Sequence, residues 1–165
     1  MIQSKGQFIE CTSLSDLKGL KKTDGLYMGK LGYVKGRGWF ECVAVDMSGS
    51  KWKPQQVSTV ITGDAPEDIS LIDLENNGDI ARVEVVVVGR RTDIIGDTHA
   101  QKLEGFFKNT GGVVALEGAL TASGVLGVGN STLAVSGTEV VCQVTGVAAA
   151  DIQWELCVHI ACNQS

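Results

Sequence analysis

The ten residues DIQWELCVHI, from Asp151 to Ile160, carry the clearest structural signal in the chain. Successive side chains of a β-strand point to opposite faces of a sheet, so an alternation of apolar and other residues predicts a strand with one buried face. Trp154 is the largest apolar residue of this run and the expected core anchor. The full apolar set, at every second position, is Ile152, Trp154, Leu156, Val158 and Ile160.

The rest of the chain repeats this strand pattern. ARVEVVVVGRR, from Ala81 to Arg91, predicts a long strand with one valine face and a mixed outer face. GWFECVAVD, from Gly38 to Asp46, is apolar on both faces, which is typical of an interior or interface strand. Only Ser13 to Leu20 and Ala148 to Asp151 favour a helical turn. Further predicted strands are Gln56 to Thr62, Ile69 to Leu74, Gln101 to Lys108, Val113 to Leu120, Thr132 to Ser136 and Glu139 to Thr145.

Turn residues recur about every ten positions between these runs, which is typical of antiparallel sandwiches and jelly rolls. The predicted fold class is therefore mainly β: an antiparallel β-sandwich or jelly-roll-like fold with two sub-sheets or two small β domains. The strongest turn signal, Asn76 to Asp79, predicts a hairpin between Ile69–Leu74 and Ile80–Arg90.

A change of composition near Gly78 to Ile80 separates a lysine- and tryptophan-containing half from a half rich in valine, alanine and glycine. We place a soft boundary there. Residues 1–79 form an N-terminal β region and a candidate docking part, and residues 80–165 form a C-terminal β-sandwich module. Whether the boundary separates two domains or two sheets of one sandwich is left open by the sequence.

The composition excludes several classes of function. A chain of 165 residues can bury a core without disulfides or a metal. A net charge of −5 argues against nucleic acid as a partner, because phosphate neutralisation needs a basic surface. The start of the chain, MIQSKGQ, lacks the pattern of a secretory signal, and the apolar runs fall short of the ~20 residues that span a bilayer, so we expect no membrane partner.

Cysteines and histidines do not form a recognisable site. The five cysteines are an odd number without a C-x-x-C pair, so we expect small buried hydrophobic residues in a reducing compartment. Glycines in GVLGVG, from Gly124 to Gly129, stand in the wrong order for a dinucleotide loop and favour a glycine turn. No cofactor or metal is therefore expected.

One segment invites a chemical hypothesis. Asp93 and Asp97 could hold a calcium ion, although the favoured interpretation is that Asp93 organises a turn through its own backbone. His99 near two aspartates invites a general-base role, but no nucleophile motif accompanies it. Neither is there a marked pair of acidic residues of the kind a polysaccharide hydrolase uses. We therefore predict that the protein is not an enzyme.

Two stretches resemble a module of tailed-bacteriophage virion proteins. The first is RRTDIIGDTHAQKLEGFFKNTGG, from Arg90 to Gly112, and the second is VVCQVTGVAAADIQWELCVHI, from Val140 to Ile160, with an L-x-G at Leu116 to Gly118 between them. In that module an R-R-T-D turn leads into an "A…L-E-G…K" strand, and a V-T-G strand and an I-x-W strand then close the sheet. The match covers roughly residues 82–160, and the order of the motifs is more specific than any one of them.

The resemblance implies a β-sandwich on the outside of a virion, made in the cytoplasm of a bacterial host and usually trimeric. It would serve as a capsid decoration or cement protein, as a knob, or as a domain of a tail fibre or tail tip. Its partners would be further copies of itself and the major capsid protein or tail proteins. The resemblance brings no catalytic residues with it, and the absence of a fibrous repeat favours decoration of the capsid.

Candidate binding residues fall into two groups. Trp39, Phe40 and Trp52 are candidate interface anchors, and the two tryptophans could alternatively stack on sugar rings. A second hypothesis assigns receptor binding to exposed loops, and the candidate residues of the first loop are Arg91, Asp93, Asp97 and His99. The loop from Leu126 to Thr132 is its expected companion. Valines on both faces of the predicted strands also indicate a homo-oligomer, since large apolar patches are rare on monomers.

Overall fold

The computed structural model describes residues 2–5, 8–11, 14–20, 26, 30–34, 38–45, 50–125 and 127–164. Strands dominate this part of the chain, in agreement with the predicted mainly β fold. The chain divides into two compact units, Met1–Ser58 and Thr59–Ser165. This division lies earlier in the sequence than the change of composition near residue 78. No helix of the described residues is long and apolar enough to cross a membrane.

The first unit is a sheet with one short helix. Strand β1 (Ile2–Lys5) pairs antiparallel with β2 (Phe8–Cys11), and β2 pairs parallel with β3 (Leu31–Val34). Strand β3 pairs antiparallel with β4 (Gly38–Val45), and β4 pairs antiparallel with β5 (Ser50–Thr62), of which only the beginning belongs to this unit. The helix α1 (Leu14–Lys18) confirms the predicted helical turn, and its Leu17 is buried. A hydrophobic cluster of this unit consists of the buried residues Ile9, Cys11, Leu17, Leu20, Leu26, Val34, Phe40 and Cys42.

The second unit contains two antiparallel sheets. The large sheet has the strand order β13-β7-β8-β10, with β9 pairing with the far end of β8, and the small sheet has the order β11-β12-β6. The strands are β6 (Pro66–Asp73), β7 (Ile80–Arg91), β8 (Thr98–Thr110), β9 (Val113–Leu116), β10 (Thr121–Val125), β11 (Asn130–Ser136), β12 (Glu139–Thr145) and β13 (Asp151–Asn163).

The core of the second unit lies between these sheets. Val85 on β7 stands opposite Leu103 on β8 and Val158 on β13, and all three are buried. The small sheet covers this face with residues such as Leu71 and Val140. Strict alternation of buried and less buried residues along β7, β8 and β13 confirms the predicted period of two.

The predicted hairpin between Ile69–Leu74 and Ile80–Arg90 is wrong. The turn exists, with Gly78 at a φ of 94°, but β6 pairs with β12 in the small sheet while β7 joins the large one. Both strands are amphipathic, and crossing between sheets lets their apolar faces oppose each other across the core. Asp79, which is buried, stabilises the turn because its carboxylate accepts a hydrogen bond from the backbone N–H of Asn76 at 3.0 Å.

The segment after β8 also differs from prediction. The predicted strand Val113 to Leu120 ends at Leu116, and Gly118 then takes a φ of 85° that favours glycine. Strand β10 was not predicted, because TASGV has no alternation of apolar and polar residues. It pairs with β8, where Gly124 lies so close to the backbone of Ala100 that an added Cβ would collide with the Ala100 carbonyl oxygen.

Candidate functional site

Arg91, at the end of β7, braces the loop that leads to β8. Its Nε donates a hydrogen bond to Asp93 Oδ1 at 3.0 Å and its Nη2 to Asp93 Oδ2 at 2.7 Å, which is a bidentate pair. A third bond joins Nη1 to Asp97 Oδ2 at 3.3 Å. The backbone closes the same loop, since the N–H of Arg91 donates to the carbonyl of Asp97 at 3.2 Å. Three of the four residues predicted for the exposed loop are thus brought together.

The electrostatics of this loop agree with the geometry. The Arg91 guanidinium lowers the pKa of the Asp93 carboxyl, and backbone N–H groups of Asp93 and Ile94 lower it further. The hydrogen bonds that Arg91 donates to Asp93 in turn raise the pKa of Arg91. The Asp93 carboxylate therefore organises its own turn and binds the Arg91 guanidinium. No group of three or more His, Cys, Asp or Glu side chains placed to hold a metal ion occurs in the described ranges.

His99, the fourth predicted residue of the loop, is misplaced by the prediction. It is the second residue of β8 and points into the core, where it is fully buried and makes an edge contact with the Trp154 ring at 5.1 Å. Its Nε2 lies 2.9 Å from Ser131 Oγ, and that hydroxyl donates to Gln101 Oε1 at 2.7 Å. Because the hydroxyl proton goes to Gln101, Nε2 of His99 donates. Burial lowers the pKa of His99, which favours the neutral ring.

A cavity of about 440 Å³ opens beside the braced loop. Residues of the two loops predicted to contact a receptor line this cavity. A third loop, which was not predicted, contributes Val147 and Ala148. The first two loops approach closely, and a Cβ added to Gly127 would collide with the carbonyl oxygen of Thr98. Leu126 lies outside the described residues. The lining residues are Arg91, Gly96, Asp97, Thr98, Gly127, Val128, Gly129, Val147 and Ala148.

The outer face of the large sheet is a second candidate surface, which we define by the outward residues of β7 and β8. Val86, Val88 and Phe106 are 42%, 44% and 46% exposed there. Ion pairs stand beside them, with Arg82 Nε 2.8 Å from Glu104 Oε1 and Lys102 Nζ 3.1 Å from Glu84 Oε2. The mixed outer face predicted for the valine-rich strand is confirmed.

The candidate interface anchors of the first unit have different positions. Phe40 is 5% exposed and belongs to the core, so it is not a surface anchor. It was assigned to the surface because both faces of its strand are apolar. Trp39 is half-buried, with ring contacts to Phe8 and Tyr33 at 5.1 Å each. The side chain of Trp52 lies outside the described part of the chain.

Trp154 is the core anchor that the sequence predicted. It is fully buried, and two glycines leave room for its ring. A Cβ added to Gly89 would stand 2.6 Å from Trp154 Cζ3, and a Cβ added to Gly129 would stand 3.0 Å from Trp154 Cζ2. The cysteines fit their prediction only in part, because Cys11, Cys42 and Cys142 are buried while Cys157 and Cys162 are exposed. Cys157 lies on the outward face of β13, where the alternation places it.

Comparisons with known proteins give little that is similar. No protein-family model matches the chain, and no curated protein matches it. Among solved structures, the crystal structure of the Acinetobacter phage vB_ApiP_P1 tailspike protein is similar, with 14% sequence identity and a TM-score of 0.39. The similarity covers 73% of this chain and 24% of the tailspike chain, so the chain spans about a quarter of that protein.

Proposed function

We propose that the chain is a non-enzymatic structural protein of a tailed-phage virion. In this role it is a homo-oligomer, with a trimer as the expected form, that decorates or cements the capsid exterior and contacts the major capsid protein. The observation that carries the proposal is the outer face of the large sheet. Three apolar side chains, Val86, Val88 and Phe106, are exposed there on long paired strands, and the charged residues among them neutralise one another.

Such a face suits contact with another protein. The Arg82–Glu104 and Lys102–Glu84 pairs lie between Phe106 and the two valines Val86 and Val88, and they neutralise one another, so no net charge separates the exposed apolar residues. The backbone beneath is held by neighbours on both sides of β7 and needs little ordering on binding.

The resemblance to phage modules adds independent support. The two stretches that carry it, Arg90 to Gly112 and Val140 to Ile160, supply β8, β12 and β13 of the second unit. The V-T-G and I-x-W motifs lie in different sheets, and so they contribute to the two walls of one core rather than to a single closing sheet. The order of motifs therefore corresponds to a complete packing unit, which is what a transferable module needs.

Immunogold electron microscopy of purified virions from the source phage tests the proposal. Gold-labelled antibody against this chain should be spread over the head. Label confined to the tail would refute the decoration role, and particles without label would refute the virion assignment. Particles made without the gene serve as the control for antibody specificity.

A receptor-binding module of a tail fibre or tail tip is the second candidate, and the cavity at the braced loop favours it. Three loops converge there, as they do where rigid scaffolds present binding residues. Ala148→Trp should fill the cavity, whereas Ala115→Trp on β9 is a matched change at another exposed position. Loss of binding to host-surface polysaccharide in the first variant alone, measured by calorimetry, would support this function. Equal binding by both variants would exclude the cavity.

A further inference from the structure

Three consecutive strands of the second unit contain no charged residue. Neither Asp, Glu, Lys, Arg nor His occurs between Glu117 and Glu139, and the four residues of β9 are also uncharged. Strands β9, β10 and β11 therefore present only neutral side chains, and we call them the uncharged side. Its exposed apolar residues include Val113, at 66%, and Val135, at 36%.

The uncharged side is also where two sheet edges meet. Strand β10 is the last described strand of the large sheet and β11 the last of the small sheet. The two follow each other in the chain, and β11 packs against β8 and β9, so both edges lie on one side of the sandwich. An edge strand keeps a row of backbone N–H and C=O groups directed away from its only neighbour, ready to pair with another strand.

The opposite edge of the small sheet is protected. Strand β6 begins with Pro66, which has no N–H, and continues with Glu67 and Asp68, which are exposed. Proline and charge are the means by which sheets prevent unwanted pairing at an edge. In the same sheet β11 has neither. One edge is therefore built to remain solvated, and the other is built to be covered.

We propose that the uncharged side binds a second copy of this chain, strand edge to strand edge. The inference rests on the proposed homo-oligomer and names its contact surface. Two copies each carry a net charge of −5 and repel one another, so edge strands without charged residues are where they can approach with the fewest like-charge contacts. Backbone N–H and C=O groups can pair with any strand edge. A second copy offers an identical uncharged edge, and closed symmetry lets every copy make the same contact.

Lysine substitutions on the two edges test the inference. Val135→Lys on β11 and Thr121→Lys on β10 place a charge on the uncharged side, and Ser70→Lys on β6 is the matched control at an exposed position of the protected edge. Sedimentation equilibrium should show an oligomer for the parent and for the control. The association constant of the two edge variants should fall at least roughly tenfold, which corresponds to about 1.4 kcal/mol. Edge variants that assemble like the parent would overturn the inference.

Hydrogen exchange gives a second measurement if a variant fails to fold. In the parent protein, the backbone amides of β10 and β11 should lose protection on dilution below the association range, while those of β6 should not change. Protection that does not depend on concentration would overturn the inference. Virion labelling is a separate outcome: an oligomer with this interface that is absent from the particle would refute the proposed function and leave the interface intact.

Discussion

Replacing Trp154 with alanine should destabilise the second unit more than any other single truncation. Its side chain is the largest of the fully buried ones, and it lies between the two sheets against His99, Gly89 and Gly129. Truncating a buried aromatic residue costs about 3–5 kcal/mol, because the transfer free energy is lost and a cavity remains. The ring has glycines on two sides, so neighbouring side chains cannot relax into the space, and we expect the upper half of that range.

Differential scanning calorimetry can measure this loss as a fall in melting temperature. A destabilisation of 3 kcal/mol or more should lower the melting temperature of a unit of this size by roughly 12 °C or more. Trp39→Ala is the matched control, since Trp39 is only half-buried and its loss should lower the melting temperature less. A Trp154→Ala variant that melts with the parent would refute the assignment of Trp154 as the anchor.

A double-mutant cycle with Gly89 tests the contact itself. Gly89→Ala alone should be destabilising, because its Cβ would stand 2.6 Å from the ring of Trp154. In the Trp154→Ala background the same methyl group enters an empty space, so its cost should largely disappear. Additive losses of stability in the double variant would show that the two residues do not meet.

Three further results are expected. Stability should fall as the pH drops below about 6.5, because burial lowers the pKa of His99 and the unfolded chain then binds the proton more readily; pH-dependent melting of His99→Gln should lack this component. Arg91→Gln should accelerate amide exchange in the loop that Arg91 braces, with the melting temperature nearly unchanged, and a protected loop would contradict the brace. Native thiol titration should detect Cys157 and Cys162 quickly and Cys142 only after unfolding, since burial raises the pKa of Cys142 to about 12; equal rates would contradict these positions.

Much of the fold could be predicted because alternation reports burial directly. Strands β7, β8 and β13 have one face in the core, and a period of two in their sequences marks that face. Pairing was harder to predict. The Asn76 to Asp79 turn is a strong local signal, but local chemistry states only that the chain turns, not whether the next strand stays in the same sheet. The crossing to the large sheet is decided by contacts distant in sequence, such as Asn109 Nδ2 to the carbonyl of Leu74 at 2.6 Å.

The candidate site was predictable to a smaller extent. Short polar residues after a strand pointed to an exposed loop, and Arg91, Asp93 and Asp97 do meet there. His99 was wrongly included, because one residue separates a solvated loop position from an inward strand position, and the sequence does not mark where β8 begins. Val147 and Ala148 were missed, since small apolar residues in a loop carry no chemical signal and acquire a role only when folding brings three loops together.

The surfaces of the second unit can be tested independently because strands separate them. Val88, Val135 and Ala148 lie on the outer face, the uncharged side and the cavity rim, and changing one leaves the other surfaces and the core in place. A change confined to Val88 that removes the protein from virions, without altering self-association, would assign the outer face to the particle. A change at Val135 that lowers both self-association and attachment to virions would mean that attachment depends on several weak contacts made at once, as multivalent binding predicts. Measuring both virion attachment and self-association in these variants therefore decides whether the chain attaches to the particle as single copies or as a preassembled oligomer.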